Sequence, residues 1–280
     1  MALMLMLVVL LALPFLVIAG LIFAARAEAR RHPWRFRITE VISQSFATVA
    51  AARLPMLATS FVTVGLPVAG LGLLGISGAS TDFFTMPGEQ VLTAIGIGWL
   101  VSLLVGTLGK VVMIALALDV LAGRPPRFGA ALANGIRLLL PAMAVRLLLW
   151  LGVGFGLMLL IIPGLVLMLT WAIVLPVLVA ERPGIFASFS RSGALMRGAR
   201  WRLLLLFAIV FVAWSLFGGM GQSFALASQT SAAWIGSIVV QTLVATLTGA
   251  MGAAGLAAIY HQLKSEREGL PGEDLEAVFA

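Results

Sequence analysis

Residues 91–121 read VLTAIGIGWLVSLLVGTLGKVVMIALALDVL, and Lys110 and Asp119 are the only charged side chains among them. About 20 apolar residues in an α-helix cross the roughly 30 Å hydrocarbon core of a membrane. The strands of a membrane β-barrel instead alternate over roughly 10 residues and give no continuous apolar run. This stretch therefore predicts a membrane-spanning helix.

The rest of the chain has the same character. Of its 280 residues, 61% are hydrophobic and 10% are charged, whereas soluble domains carry about 25% charged residues. We expect an all-α, polytopic transmembrane helical bundle of about seven spans. The predicted spans are 2–24, 54–77, 91–121, 139–162, 164–181, 203–226 and 233–260. The predicted domains are an N-terminal transmembrane helix (1–25), a six-span membrane domain (26–262) and a short cytoplasmic tail (263–280).

Basic residues are concentrated in alternate loops. The loops 25–53, 122–138 and 182–202 hold most of the arginines, whereas loop 78–90 holds only Asp82 and Glu89 as charged residues. Basic loops stay on the cytoplasmic side of a membrane. We therefore predict a multi-pass protein of a bacterial cytoplasmic (inner) membrane, with its N-terminus outside and its C-terminus in the cytoplasm. The net charge of +7 is then a topology signal, and we expect no nucleic-acid partner.

Each basic loop contains a short amphipathic stretch just before a span, which we call an elbow. Apolar residues at helical spacing define the three elbows: Ile38, Val41, Ile42, Phe46 and Val49; Phe128, Ala131, Leu132 and Ile136; Ile185, Phe189 and Met196. Such helices lie flat at the headgroup boundary with arginines toward phosphate. The expected partners are membrane lipids with anionic headgroups. The order of elbow, outward span and returning span favours a threefold repeat, or else three independent elbows.

Lys110 is the candidate binding residue inside the membrane. It lies near mid-depth of its predicted span and continues a stripe of small residues in steps of four. The stripe is Ala94, Gly98, Ser102 and Gly106. An ionisable group within a span indicates a functional site by default. Either Lys110 binds an anionic solute or lipid headgroup, or backbone carbonyls, Gln241 or the cytoplasmic interface satisfy it.

Four further candidates lie nearer the basic side. Arg146, about two turns into the fourth span, either reaches lipid phosphate or pairs with Glu181 or Asp119. Glu181 ends the fifth predicted span, where an ion pair with Arg191 is the simpler interpretation. We expect Arg191 and Arg197 of the third elbow to lie at the interface, where Arg197 would contact lipid.

The sequence lacks the residue patterns of known enzymes. It has no cysteine, and neither His32 nor His261 has a glutamate or histidine at the helical spacing of a metal site. Phosphate-binding and nucleophile motifs in a strand-to-helix context are also absent. We therefore expect a protein without enzymatic activity, metal site or cofactor.

Residues 163–202 read PGLVLMLTWAIVLPVLVAERPGIFASFSRSGALMRGARWR. This segment resembles bacterial multi-span proteins that include the membrane domain attached to glycerophosphoryl diester phosphodiesterases and its stand-alone relatives. The matching residues are Pro163, Gly164, Pro176, Glu181, Ala187, Arg191, Ser192, Arg197 and Gly198. The second elbow and the segment YHQLKSEREGLPGEDLEAVF (260–279) are similar as well, so that the resemblance covers roughly residues 36–280.

The resemblance implies a fold and an inner-membrane location, without an established activity. Gly193 departs from the pattern, which more often has an aromatic residue there, and the 280 residues contain no phosphodiesterase domain. The leading functional hypothesis is a membrane-embedded accessory or scaffold protein with lipid-contacting elbows. The alternative is a small transporter or permease for an anionic solute or lipid headgroup, with Lys110 and Arg146 along its path. Two protein partners are left open: a second copy of this chain, or another membrane protein.

Overall fold

The computed structural model describes residues 37–73, 88–159, 161–212 and 231–268, with backbone alone at 88–102, 161–162 and 231–234. All regular structure in these ranges is helical. The helices are α1 (Ile38–Ala51), α2 (Arg53–Leu73), α3 (Gly88–Leu121), α4 (Phe128–Arg137), α5 (Leu139–Leu159), α6 (Ile161–Thr170), α7 (Val174–Glu181), α8 (Ile185–Leu195), α9 (200–212) and α10 (Ser231–Glu268).

Five helical segments of the described residues are long and apolar enough to cross a membrane. They are Arg53–Leu73, Leu103–Leu121, Leu139–Leu159, Pro163–Glu181 and Ile235–Glu268. The prediction of a membrane protein made of helices is thus confirmed. The predicted span 2–24 and most of 203–226 lie outside the described residues, so that the count of about seven stays a prediction.

Proline sets the bend between elbow and span in two places. Elbow α1 ends at Ala51, four residues before Pro55, and elbow α4 ends at Arg137, four residues before Pro141. Proline has no N–H to donate to the carbonyl four residues earlier, and its ring crowds that carbonyl. The third elbow, α8, is followed instead by Gly198, whose φ of 82° is readily adopted by glycine.

The predicted span 164–181 corresponds to the membrane-crossing segment Pro163–Glu181, but its helix breaks in the middle. α6 ends at Thr170 and α7 begins at Val174, with a turn between them. Pro176 cannot donate to the carbonyl of Ala172, which is the usual physical cause of such a break. The predicted boundary between spans 139–162 and 164–181 falls inside α6, which contains both Pro163 and Gly164.

The last helix is longer than expected. α10 continues to Glu268, so that the predicted tail boundary at residue 263 falls inside it. An arginine, Arg267, lies in the last turn, where a positive charge favours the negative end of the helix dipole. Residues 269–280 lie outside the described residues.

The buried core lies in the half of the bundle nearer the basic loops. Val111–Ala117 of α3, Val174–Val179 of α7 and the alanines 250, 253, 254 and 257 of α10 are all buried. In α5 the opposite trend appears toward the far end, where Leu151, Phe155 and Met158 are exposed. Among the described side chains, packing is thus tighter at the basic end, and the far end of α5 presents apolar side chains outward.

The elbows pack along neighbouring spans, and their flat orientation at the headgroup boundary stays a prediction. On α4, an added Cβ at Gly135 would meet Val112 at 2.8 Å and Leu108 at 3.1 Å. Those two residues lie about 14–20 Å from the end of α3 at Leu121, by the rise per residue. Similarly, Ser45 of α1 lies beside Gly255 of α10, and Ser192 of α8 bonds Thr170 of α6. Each elbow therefore supports a returning span.

Candidate functional site

Glu181 is the centre of an ion network at the basic end of the bundle. Its carboxylate accepts hydrogen bonds from Arg191 Nε (2.9 Å), Tyr260 Oη (2.8 Å) and Lys264 Nζ (3.2 Å). Arg191 also pairs with Glu268. We call these five residues the Glu181 network. It joins three elements, α7, α8 and α10, and contains two carboxylates and two cations.

Neighbouring carboxylates favour the charged state of Arg191. The hydrogen bond from Arg191 to Glu181, followed by that to Glu268, raises the pKa of the Arg191 guanidinium above its ordinary value. Lys264 Nζ also contacts the Tyr260 hydroxyl at 3.2 Å and lies 5.7 Å from the centre of its ring. Each charge in the network has an oppositely charged partner. The network therefore holds α7, α8 and α10 together.

The sequence reasoning found Glu181 and Arg191 but missed the three members on α10. Tyr260, Lys264 and Glu268 follow one another in steps of four, which puts them on one face of a helix. This row of polar residues at the end of an otherwise apolar span could have indicated an interacting face of α10 from the sequence alone. Helical periodicity could not identify Glu181 as its partner, since Glu181 lies 79 residues from Tyr260 in the chain.

Elbow α8 is fixed next to this network by a second contact. Ser192 Oγ donates to the carbonyl oxygen of Thr170 at 2.8 Å, at the break between α6 and α7. Phe189 meets Trp171 edge to face, with ring centroids 5.0 Å apart. Gly193 also lies against Thr170, at 3.3 Å from an added Cβ. Gly193, which stands where an aromatic residue was expected, is therefore closely packed against Thr170.

A second polar group lies inside the spans, and we call it the Lys110 cluster: Thr107, Lys110 and Arg146. Arg146 Nη1 donates to Thr107 Oγ1 at 3.1 Å, which links α5 to α3. Thr107 and Lys110 are one helical turn apart and share a face of α3. The positive charge of Arg146 consequently acts directly on Lys110. The cluster therefore brings two like charges together within the bundle.

The partners predicted for Arg146 and Lys110 are different in the structure. Asp119 pairs with Arg124 at 3.1 Å and Glu181 pairs with Arg191, while Arg146 bonds Thr107. Among the described residues, no hydrogen-bond or ion-pair partner reaches the Lys110 ammonium, and the expected Gln241 contact is not formed. Sequence reasoning selected Lys110 and Arg146 separately and missed Thr107, the residue that brings them together.

Arg197 lies apart from both groups. Its side chain is exposed after the end of α8, and its backbone carbonyl accepts a bond from Arg267 of α10. The Arg197 guanidinium is thus positioned at the basic end, where a lipid phosphate could reach it. In the part of the chain that the structure describes, no group of three or more His, Cys, Asp or Glu residues is arranged to hold a metal.

Comparison with protein-family models, curated proteins and solved structures yields no match for the chain.

Proposed function

We propose that this protein is a multi-span helical membrane protein without enzymatic activity, which binds anionic lipid at its basic end and acts as a membrane-embedded accessory or scaffold protein. The proposed topology has about seven spans in a bacterial cytoplasmic membrane, with the N-terminus outside and the C-terminus inside. The resemblance to the membrane domain of the phosphodiesterases is consistent with this proposal, and it implies no enzymatic activity.

The proposal rests on one observation: each elbow has a buried surface of small residues and an exposed apolar surface. Each elbow buries a face of small or short residues: Val41 and Ser45, Ala131 and Gly135, and Ser188 and Ser192. Each also presents large apolar side chains outward, with Phe46 62%, Ile136 60% and Phe186 78% exposed. A helix that is fixed to a span on one side and apolar on the other is suited to contact with lipid chains.

Exposed arginines accompany these apolar surfaces. Arg53, Arg127, Arg137, Arg182 and Arg197 are all exposed, and all adjoin an elbow. The guanidinium group bonds phosphate oxygens through two parallel N–H groups. Arginines beside lipid-facing elbows are therefore suited to the headgroups of acidic phospholipids, each contributing about 1 kcal/mol near a charged surface.

The test is lipid binding by the purified full chain in a neutral detergent, measured by native mass spectrometry with phosphatidylglycerol and with phosphatidylcholine. We expect preferential binding of phosphatidylglycerol that weakens as salt rises. The double variant Arg197→Ala with Arg200→Ala should bind it about thirtyfold more weakly at low salt. Binding that ignores both salt and this variant would contradict the proposal.

Arg124→Gln is the matched control for these arginine variants. Arg124 lies on an exposed corner between α3 and α4 but is paired with Asp119, so that its charge is already compensated. We expect phosphatidylglycerol binding to change less than twofold, because the variant removes a neutralised cation. A loss as large as that of the double variant would mean that net charge alone, and not the elbows, determines binding.

A transporter or permease for an anionic solute is the second candidate, and the Lys110 cluster favours it. Two cations meet there within the spans, as in pathways that pass charged substrates. The discriminating experiment is uptake of a labelled anionic solute such as phosphate into proteoliposomes. Uptake that is abolished by Lys110→Ala would favour transport, and the absence of uptake by the native chain would leave the scaffold proposal in place.

A further inference from the structure

Three polar side chains meet where elbow α1 packs against the end of α10. Glu40 and Gln44 lie one helical turn apart on α1, and Gln262 reaches them from α10. The amide nitrogen of Gln44 lies 3.3 Å from Glu40 Oε1, and that of Gln262 lies 3.5 Å from Glu40 Oε2. We call these three residues the Glu40 group. It is separate from the Glu181 network and from the arginines of the proposed lipid contact.

The two glutamine amides of this group are only half satisfied. Each amide donates to the Glu40 carboxylate, yet its oxygen atom is buried and accepts no hydrogen bond from the residues that the structure describes. Gln262 as a whole is only 5% exposed. A buried amide oxygen without a donor is energetically costly. Two such oxygens beside one carboxylate therefore indicate a ligand that contacts oxygen atoms.

The glutamine amides can turn their oxygens toward the carboxylate. A half turn of each amide exchanges its nitrogen and oxygen and leaves the rest of the side chain in place. Both amide oxygens then face the Glu40 carboxylate, and their negative dipoles repel its charge. A cation among these oxygens replaces that repulsion by attraction. Carboxylate and amide oxygens are the ligands that hard metal ions such as Ca²⁺ take in proteins.

The separations within the Glu40 group indicate the size of the ion. Ca²⁺ binds oxygen at about 2.4 Å, so that neighbouring ligands at right angles lie about 3.4 Å apart. Mg²⁺ binds oxygen at about 2.1 Å, which brings such ligands to about 2.9 Å from each other. The observed separations of 3.3 and 3.5 Å fit the larger ion.

We propose that Glu40, Gln44 and Gln262 form a binding site for a divalent cation of the size of Ca²⁺. Glu40 supplies both carboxylate oxygens, and each glutamine supplies one amide oxygen. Ca²⁺ takes about 6–8 oxygen ligands, so that water completes the shell. Glu40 is exposed, and the ion can therefore enter from solvent without displacing the core. The bound ion joins the first elbow to the last helix.

The site adds a ligand type that the sequence reasoning did not consider. The expectation of no metal site was based on histidine and cysteine ligands, whereas two of the three ligands here are amides. The group itself contains a single carboxylate, and the affinity of calcium sites rises with the number of charged ligands. We therefore expect weak binding, with a dissociation constant of about 10⁻⁴–10⁻³ M.

The experiment is thermal unfolding of the purified full chain in a neutral detergent, titrated with calcium chloride or magnesium chloride. The buffer contains sodium chloride, so that only a site that prefers a divalent ion gives a signal. A ligand that binds the folded state alone raises the unfolding temperature once its concentration passes the dissociation constant. We expect this rise with calcium, and the same rise only at about tenfold or more higher magnesium concentration. No shift with calcium, or equal shifts with both ions, would overturn the proposal.

Variants assign the calcium effect to the Glu40 group. Glu40→Gln removes the only carboxylate of the group and should weaken calcium binding about tenfold or more. Gln44→Glu keeps the side-chain length and adds a second carboxylate, so that binding should tighten about tenfold. A glutamine with a purely structural role would give no such gain.

Glu266→Gln is the matched control for Glu40→Gln. It removes the same charge from an exposed position one turn beyond Gln262 on α10. We expect calcium binding to weaken less than about threefold, because only long-range attraction is lost and salt screens it. Equal weakening by the two variants would show that calcium responds to the total charge of this end. That result, or an unchanged affinity in Gln44→Glu, would refute the proposed site.

Discussion

The Glu181 network and the Lys110 cluster contain similar side chains but differ in charge balance. In the network, Glu181 and Glu268 face Arg191 and Lys264. In the cluster, the charge of Arg146 acts on Lys110, and Arg146 donates a hydrogen bond to the Thr107 hydroxyl. The charges of the first group balance one another, whereas the second group brings two like charges together. The comparison therefore predicts opposite changes in stability when one charge is removed from each group.

Among the variants considered, Glu181→Gln should cause the largest loss of stability. It keeps the shape of the side chain but leaves Arg191 and Lys264 with one carboxylate fewer. We expect the free energy of unfolding to fall by about 2–3 kcal/mol, less than for a fully buried pair because this carboxylate keeps some solvent contact. Thermal unfolding in detergent measures the effect.

Glu266→Gln is the control for that change. Glu266 is exposed on the same end of α10, and its replacement should alter stability by less than about 0.5 kcal/mol. Equal losses for the two variants would show that the total negative charge at this end matters, and not the network around Glu181.

Gly109→Ala should have the next largest effect, and it tests the support of the cluster. The new methyl group would collide with Thr63, and overpacking of this kind costs about 1–3 kcal/mol. Gly252→Ala is the matched control, because nothing lies within 4 Å of an added Cβ there. That change should be neutral or raise the unfolding temperature slightly.

Ser192→Ala is expected to cost about 1–2 kcal/mol. It removes the hydroxyl that bonds the Thr170 carbonyl at the break between α6 and α7. An unpaired carbonyl near the middle of a span is costly because lipid offers no donor. The corresponding change at exposed Ser43, which bonds the carbonyl of Glu40, should have little effect on thermal unfolding. Equal effects would argue against a role for Ser192 at the break.

The sequence was sufficient for the broad architecture because membrane helices must be long and apolar. Residues 91–121 and 139–162 correspond to α3 and α5 for this reason. The break at 171–173 was not predicted, although Pro176 provides its cause. Proline in a span is compatible with a kink or a break, and the choice depends on its neighbours. Here Val174 N bonds the Trp171 carbonyl, and Ser192 bonds the Thr170 carbonyl that this leaves.

The two sites differ in how far the sequence could define them. Charge inside a span was enough to select Lys110, but its neighbour Arg146 is on another helix and is positioned through Thr107. Glu181 and Arg191 are ten residues apart and could be paired from local positions. Glu268 and Lys264 come from the far end of the chain, and contacts at that separation follow from packing that no local pattern encodes.

Lys110→Met should have the smallest effect, and it is the sharpest test of the comparison. Removing one of two adjacent cations relieves repulsion, so that stability should stay constant or rise by up to about 1 kcal/mol. This is opposite in sign to the loss expected for Glu181→Gln. If Lys110→Met instead lowered the unfolding temperature as Glu181→Gln does, Lys110 would be a structural residue. The contrast between a balanced group and a pair of like charges would then fail at its second member, because repulsion between the two cations would not determine the stability there.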